Sequence, residues 1–174
     1  MIEEQKFNFG KTFLLGFGFF AVMVAWSVYN AFVPLFLANR FNLDPATIGF
    51  FMTLDNIAAL FLQPAIGSLS DRTRTKIGRR LPFMLTGAPI AALAFFFAPM
   101  VAIPMMDIPN EARLPLFVTC TITFMLSMAI WRTPVVALMP DVTPSKYRSQ
   151  ANGVINFMGG IGSIIAFLIG SKLY

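Results

Sequence analysis

Histidine is missing from the 174 residues, and cysteine occurs once, as Cys120. Without histidine the commonest metal ligand and the commonest general base are gone. A lone cysteine inside an apolar run supports neither a disulfide framework nor a thiolate metal cluster. Cys120 and the serines have no base beside them, so the sequence points away from an enzyme and calls for no cofactor and no metal. A Walker loop is absent too, which removes direct ATP drive. Charge is scarce: Asp, Glu, Lys and Arg make up 12% of the chain, against roughly 25% in a soluble domain. Strict polar–apolar alternation, the mark of a barrel strand, appears nowhere.

Apolar residues take the vacated share. They are 57% of the chain and include 20 Phe and 11 Met, more bulk than a small soluble core hides, and lipid is the solvent such a surface fits. Five runs are long enough to cross a core of ~30 Å at ~1.5 Å per residue. They cover residues 13–38, 48–69, 81–103, 114–139 and 154–173. The expected fold class is an all-α membrane protein of about five transmembrane helices, with residues 1–174 forming a partial N-terminal bundle. The first run exceeds a signal-peptide core and no A-x-A-like cleavage site follows it, so it reads as a mature helix. Asp44-Pro45 reads as an N-cap followed by a first-turn proline. Gly10 and Lys11 precede run one. Pro104, Pro109 and Pro115 are expected to break the chain between runs three and four, and Pro140 and Pro144 between four and five.

The net charge of +5 invites a nucleic-acid reading, which the placement of the cations excludes: they fall in loops between apolar runs. Lys6, Lys11, Arg72, Arg74, Lys76, Arg79, Arg80, Lys146 and Arg148 lie on one side, and Arg40, Arg113 and Lys172 on the other. That bias puts the N-terminus in the cytoplasm of a multi-pass protein of the cell (plasma) membrane. An odd number of spans ends the chain outside, directly after a helix, which suggests a truncated product or a fragment.

Two charges survive deep inside the runs, Asp55 and Arg132. Each costs at least ~2.5–3.5 kcal/mol at a bilayer centre, so each is expected to face a partner, the bundle interior or a wet cavity. Asp55 is eleven residues past Asp44, and Tyr29 and Asn30 are eleven and ten before Arg40, which sets all three ~15–16 Å below one surface. Transporters hold substrate and coupling ions at that depth. Arg132 and Gln63 form a second layer ~12–14 Å from the opposite end, and Gln63 shares a helical face with Asp55. Asn56, Trp131 and Asn156 complete the candidate substrate and ion site. The plainer alternatives are interhelix hydrogen bonds for the asparagines, simple packing for Tyr29, Trp26 and Trp131, and a purely structural Asp55–Arg132 pair. Gly16, Gly18, Gly153, Gly159, Gly160 and Gly162 permit close helix approach.

Between runs two and three stands GSLSDRTRTKIGRR, residues 67–80, followed by Leu81-Pro82-Phe83. As a basic loop it anchors to anionic lipid at ~1 kcal/mol per cation. Its order of residues resembles the inner-loop signature of the major facilitator superfamily: a Gly, an Asp-Arg pair, then a Gly-Arg-Arg end. The expanded DRTRTKIGRR with Pro82 is similar to the glycoside–pentoside–hexuronide and sucrose-transporter branch. Tyr29-Asn30 with Val33-Pro34, Gln63-Pro64 with Gly67, and Ala137-Leu138 with Pro140-Asp141 before Arg148 match that branch as well. The resemblance implies a twelve-helix transporter of two halves, of which this chain supplies helices one to five and lacks the C-terminal half. It implies a sugar or glycoside bound between the halves and symport with H+ or Na+. It also implies an inner gate at Gly67, Asp71, Arg72, Arg74, Gly78, Arg79, Arg80, Asp141 and Arg148. Sodium-coupled members carry acids where Gln63 and Arg132 stand, so the resemblance favours proton coupling through Asp55. Export of an amphiphilic compound by the same fold, or a remnant without transport, stays open.

Overall fold

In a computed structural model, which describes residues 9–103 and 105–173, the chain is built from five long helices. They are α1 (Phe9–Asn39), α2 (Pro45–Arg72), α3 (Leu81–Ala102), α4 (Asn110–Val142) and α5 (Arg148–Leu173), with a 3-10 turn at Ser145–Tyr147 before α5. No strand occurs among the described residues. All five are long and apolar enough to cross a membrane. The surface agrees: on α2 alone Phe50, Ile57, Leu60 and Phe61 are exposed, a face that only lipid or other apolar helices would solvate cheaply. Lys6 and Pro104 lie outside the described residues.

The helices overrun the apolar runs at most ends. α1 begins at Phe9, so Gly10 and Lys11 belong to the helix instead of preceding it, and α5 begins at Arg148. Two expected breaks fail in the same way: Pro115 and Pro140 both sit within α4. Pro115 lies near the start and Pro140 near the end of that helix, and each forgoes the N–H bond to the residue four before it. Pro34, Pro64, Pro89 and Pro99 are also intrahelical, a pattern that membrane helices accept because neighbours re-satisfy the freed carbonyls. At 33 residues α4 is about 50 Å long, so its ends extend past a ~30 Å hydrocarbon core or the helix tilts.

Local chemistry sets the turns. Between α1 and α2, Asn42 adopts a left-handed φ of 55°, which its short polar side chain tolerates. Asp44 caps α2, accepting the Thr47 amide at 3.0 Å and the Thr47 hydroxyl at 2.6 Å, with Pro45 in the first turn. Between α2 and α3, Gly78 supplies a φ of 101°, and its amide bonds to the Thr75 carbonyl at 3.1 Å.

Two compact units emerge, Met1–Ala31 with Val135–Tyr174, and Phe32–Pro134. In the first, small residues bring α1 and α5 together. A methyl group at Gly162 would lie 2.8 Å from the Phe20 carbonyl oxygen, and one at Gly159 3.0 Å from Met23 Cγ. Ser27 Oγ donates to Ser163 Oγ across the same contact at 2.9 Å, the kind of polar bond that holds helices together in lipid. In the second unit α3 turns Gly87, Ala91, Ala94 and Ala98 inward, and Phe95 meets Phe124 of α4 at 4.9 Å between ring centroids. Phe117, fully buried, packs against Phe36 and Phe41 at the end of α1.

Candidate functional site

The second unit holds most of the polar residues that its spans carry. Asp55 and Gln63 of α2 are half-buried, as are Trp131 and Arg132 of α4, while Asn56 is exposed. The Arg132 guanidinium acts electrostatically on the Asp55 carboxylate. Two opposite charges carried by different helices thus sense each other within the span. Attraction across a low-dielectric region offsets part of what each costs there alone. α2 and α4 approach closely near Gly67, where an added methyl would stand 3.6 Å from Thr133 Cγ2. Thr133 Oγ1 is buried and makes no hydrogen bond within the protein. Nothing in the sequence singles out Thr133; its neighbours Trp131 and Arg132 were the pointers to that turn of α4.

The remaining candidates divide differently. Tyr29 is fully buried in the first unit and stacks on Trp26 at 5.4 Å with an interplanar angle of 16°. Asn30 is exposed and its amide donates to the Trp26 carbonyl at 2.8 Å, within its own helix. Asn156 is exposed on α5. Sequence depth put Tyr29 and Asn30 in one layer with Asp55; those two residues fall in the first unit and Asp55 in the second.

The α2–α3 loop forms a clasp. Arg80, at the start of α3, is 7% exposed and donates to Asp71 Oδ1 at 2.9 Å and to Ser70 Oγ at 3.4 Å. Ser70 is fully buried, whereas the Asp71 side chain keeps 55% of its surface open. The clasp therefore joins the end of α2 to the start of α3 through a buried guanidinium. Arg72, Arg74, Gly78 and Arg79 are exposed around it. Ser70 went unnoticed in the sequence because a serine beside the acid carries no charge signal. In the first unit, Asp141 closes the last turn of α4, and Arg148 donates to the Pro140 carbonyl at 3.2 Å across the α4–α5 junction.

Outside the spans, the Asp44 carboxyl is held below the usual carboxylate range, first by the Thr47 hydroxyl and then by the Thr47 amide. Among the described residues no group of histidine, cysteine or acids is arranged to hold a metal ion.

These spanning helices, with Asp55 and Arg132 inside them and the basic clasp loop, can be set beside known proteins. The chain is 27% identical over 172 residues to an uncharacterized symporter of Synechocystis, covering 97% of this chain and 31% of that protein. It is 28% identical over 120 residues to the general alpha-glucoside permease of Schizosaccharomyces pombe, covering 66% of this chain and 22% of the relative. It is 26% identical over 155 residues to the nitrite extrusion protein of Bacillus subtilis, covering 89% and 34%. The chain thus spans about a third or less of the length of these relatives. The family profile described as Major Facilitator Superfamily matches residues 15–174, nearly the whole chain, and the protein belongs to that superfamily of multi-pass membrane transporters.

Proposed function

We propose that this chain carries part of the binding site of a cation-coupled symporter for a sugar or glycoside. The observation that supports the reading most is the Asp55–Arg132 pair within the spans. In this reading Asp55 takes up and releases the coupling proton, and Arg132 holds it in place and sets how readily it does so. Gln63, Asn56 and Trp131 offer hydrogen bonds and an apolar platform of the kind a sugar needs. The likeness to an alpha-glucoside permease favours a glucoside as cargo. The Asp71–Arg80 clasp, with Gly67, Arg72, Arg74, Gly78, Arg79, Asp141 and Arg148, serves the inner gate. A second half, contributed by further helices, faces the site across the pathway, and alternating access is rocking of one half against the other. The excess of cations in the α2–α3 loop favours a cytoplasmic N-terminus in the plasma membrane.

The test is uptake of a radiolabelled α-glucoside into proteoliposomes holding the full-length protein, with an imposed proton gradient. Asp55→Asn is expected to lower gradient-driven uptake at least tenfold while energy-independent exchange of sugar persists. Unchanged driven uptake removes Asp55 from the coupling role. Export of a small anion is the second reading. It is favoured by the likeness to the nitrite extrusion protein and by the cationic Arg132 in the span. Vesicles that move labelled nitrite and ignore glucosides decide for it.

A further inference from the structure

Among the glycines of the second unit, Gly87 on α3 has the closest neighbour, and it belongs to α4. A methyl carbon at Gly87 would stand 2.9 Å from the Trp131 amide nitrogen, 3.0 Å from the Ser127 carbonyl oxygen and 3.0 Å from Trp131 Cβ. Two of these three atoms are backbone, so no rotamer change can make room; a helix must move. Gly87 is buried and opens a face that Ala91, Ala94 and Ala98 continue along α3. On the facing helix, Ser127 is 4% exposed, and the contacted residue Trp131 directly precedes Arg132.

We propose that Gly87 is a positioning residue: by letting α3 touch the α4 backbone at Trp131, it fixes the rotation of the α4 turn that aims Arg132. The physical step is short. One residue of an α-helix subtends about 100°, so the azimuth of Arg132 is tied to that of Trp131. A wedge at Gly87 pushes on the Trp131 amide and turns or displaces both. Small residues at helix contacts in lipid serve close packing in general. Here the contact falls one residue from Arg132, a cation well inside α4, and the opposing charge is on α2.

Gly162 is a matched comparison. Its added methyl would meet the Phe20 carbonyl oxygen at 2.8 Å, also a backbone atom, but in the α1–α5 contact of the other unit. A purely structural effect of lost close packing would be common to Gly87→Ala and Gly162→Ala.

The inference rests on the reading of Arg132 as part of the binding site, and the experiment separates the two. In full-length protein carrying Trp26→Phe and any other tryptophans replaced, Trp131 is the sole indole and its fluorescence reports the α3–α4 contact directly. Gly87→Ala is expected to shift the Trp131 emission maximum by several nanometres and to raise KM for a labelled α-glucoside at least fivefold with kcat within about twofold. Gly162→Ala is expected to lower thermal stability and leave Trp131 emission in place. Ala91→Val, one turn along the same face, is the milder wedge; it is expected to move emission and KM in the same direction should Gly87→Ala not fold. Unshifted Trp131 emission in a folded Gly87→Ala or Ala91→Val protein overturns the proposal. If emission shifts while Arg132→Gln transports normally, Gly87 still positions α4, and it is the role of Arg132 that fails.

Discussion

At the scale of single residues, the polar side chains outside and inside the span behave differently. Asp44 sits in water, with its carboxyl drawn below the ordinary range by two bonds from Thr47. A lowered folded value means the cap contributes stability above the unfolded value of about 4. That contribution disappears as pH falls through the lower, folded value. Protection of the Thr47 amide, measured against its intrinsic exchange rate at each pH, is therefore expected to be flat from pH 8 to 5 and to fall only below about pH 4. Asp44→Ala should be poorly protected at every pH. The clasp offers a second residue-scale prediction, because its two partners are buried unequally. Removing Asp71 takes the charged partner from a buried guanidinium, whereas removing Arg80 returns a mostly exposed carboxylate to solvent. Asp71→Ala is expected to cost about 1–2 kcal/mol and Arg80→Met clearly less, measured by reversible unfolding in mixed micelles. Equal losses for the two would show that burial does not govern the pair.

The elements were largely legible in the sequence, for a simple reason. A bilayer requires uninterrupted helices whose backbone is satisfied internally, so apolar run length and helix number coincide. Their ends were less so, because helices continue past the hydrocarbon into residues that hydropathy does not mark. α5 starts at the polar Arg148 and α4 at Asn110. Pro115 and Pro140 misled for a related reason: in water an intrahelical proline costs about 3 kcal/mol, whereas in lipid leaving the helix exposes bare backbone and costs more. What sequence could not supply was azimuth. Counting residues gives depth along a helix but not which way a side chain turns, and so depth did not show that Tyr29 is buried and stacked on Trp26. The Gly87 contact was invisible for the same reason, although its glycine stood in plain view. At this scale Phe117, enclosed by Phe36 and Phe41, should matter by shape. Phe117→Ala is expected to destabilise by about 3 kcal/mol, at the lower end of core Phe truncations, because lipid supplies no hydrophobic drive between helices. Thermal unfolding in bicelles checks this.

For the whole molecule, the loop between α2 and α3 carries Arg72, Arg74, Lys76 and Arg79 on its surface, and orientation follows from which side holds such cations. In right-side-out vesicles of the full-length protein with Cys120→Ser, a cysteine at Lys76 is expected to resist a membrane-impermeant maleimide, and one at Asn42 to react. The reverse pattern overturns the assigned orientation. Two opposite charges inside the spans were readable from one sequence, because so little else there is polar. Their electrostatic engagement needed coordinates.

The unequal burial of the α2–α3 clasp has one more outcome. Arg80 is fixed in the protein and also tied to Ser70, whereas Asp71 presents its free oxygen to whatever approaches from the aqueous side. The acid can therefore accept a second donor without giving up the first, so a visiting group would add to the bond instead of exchanging with it.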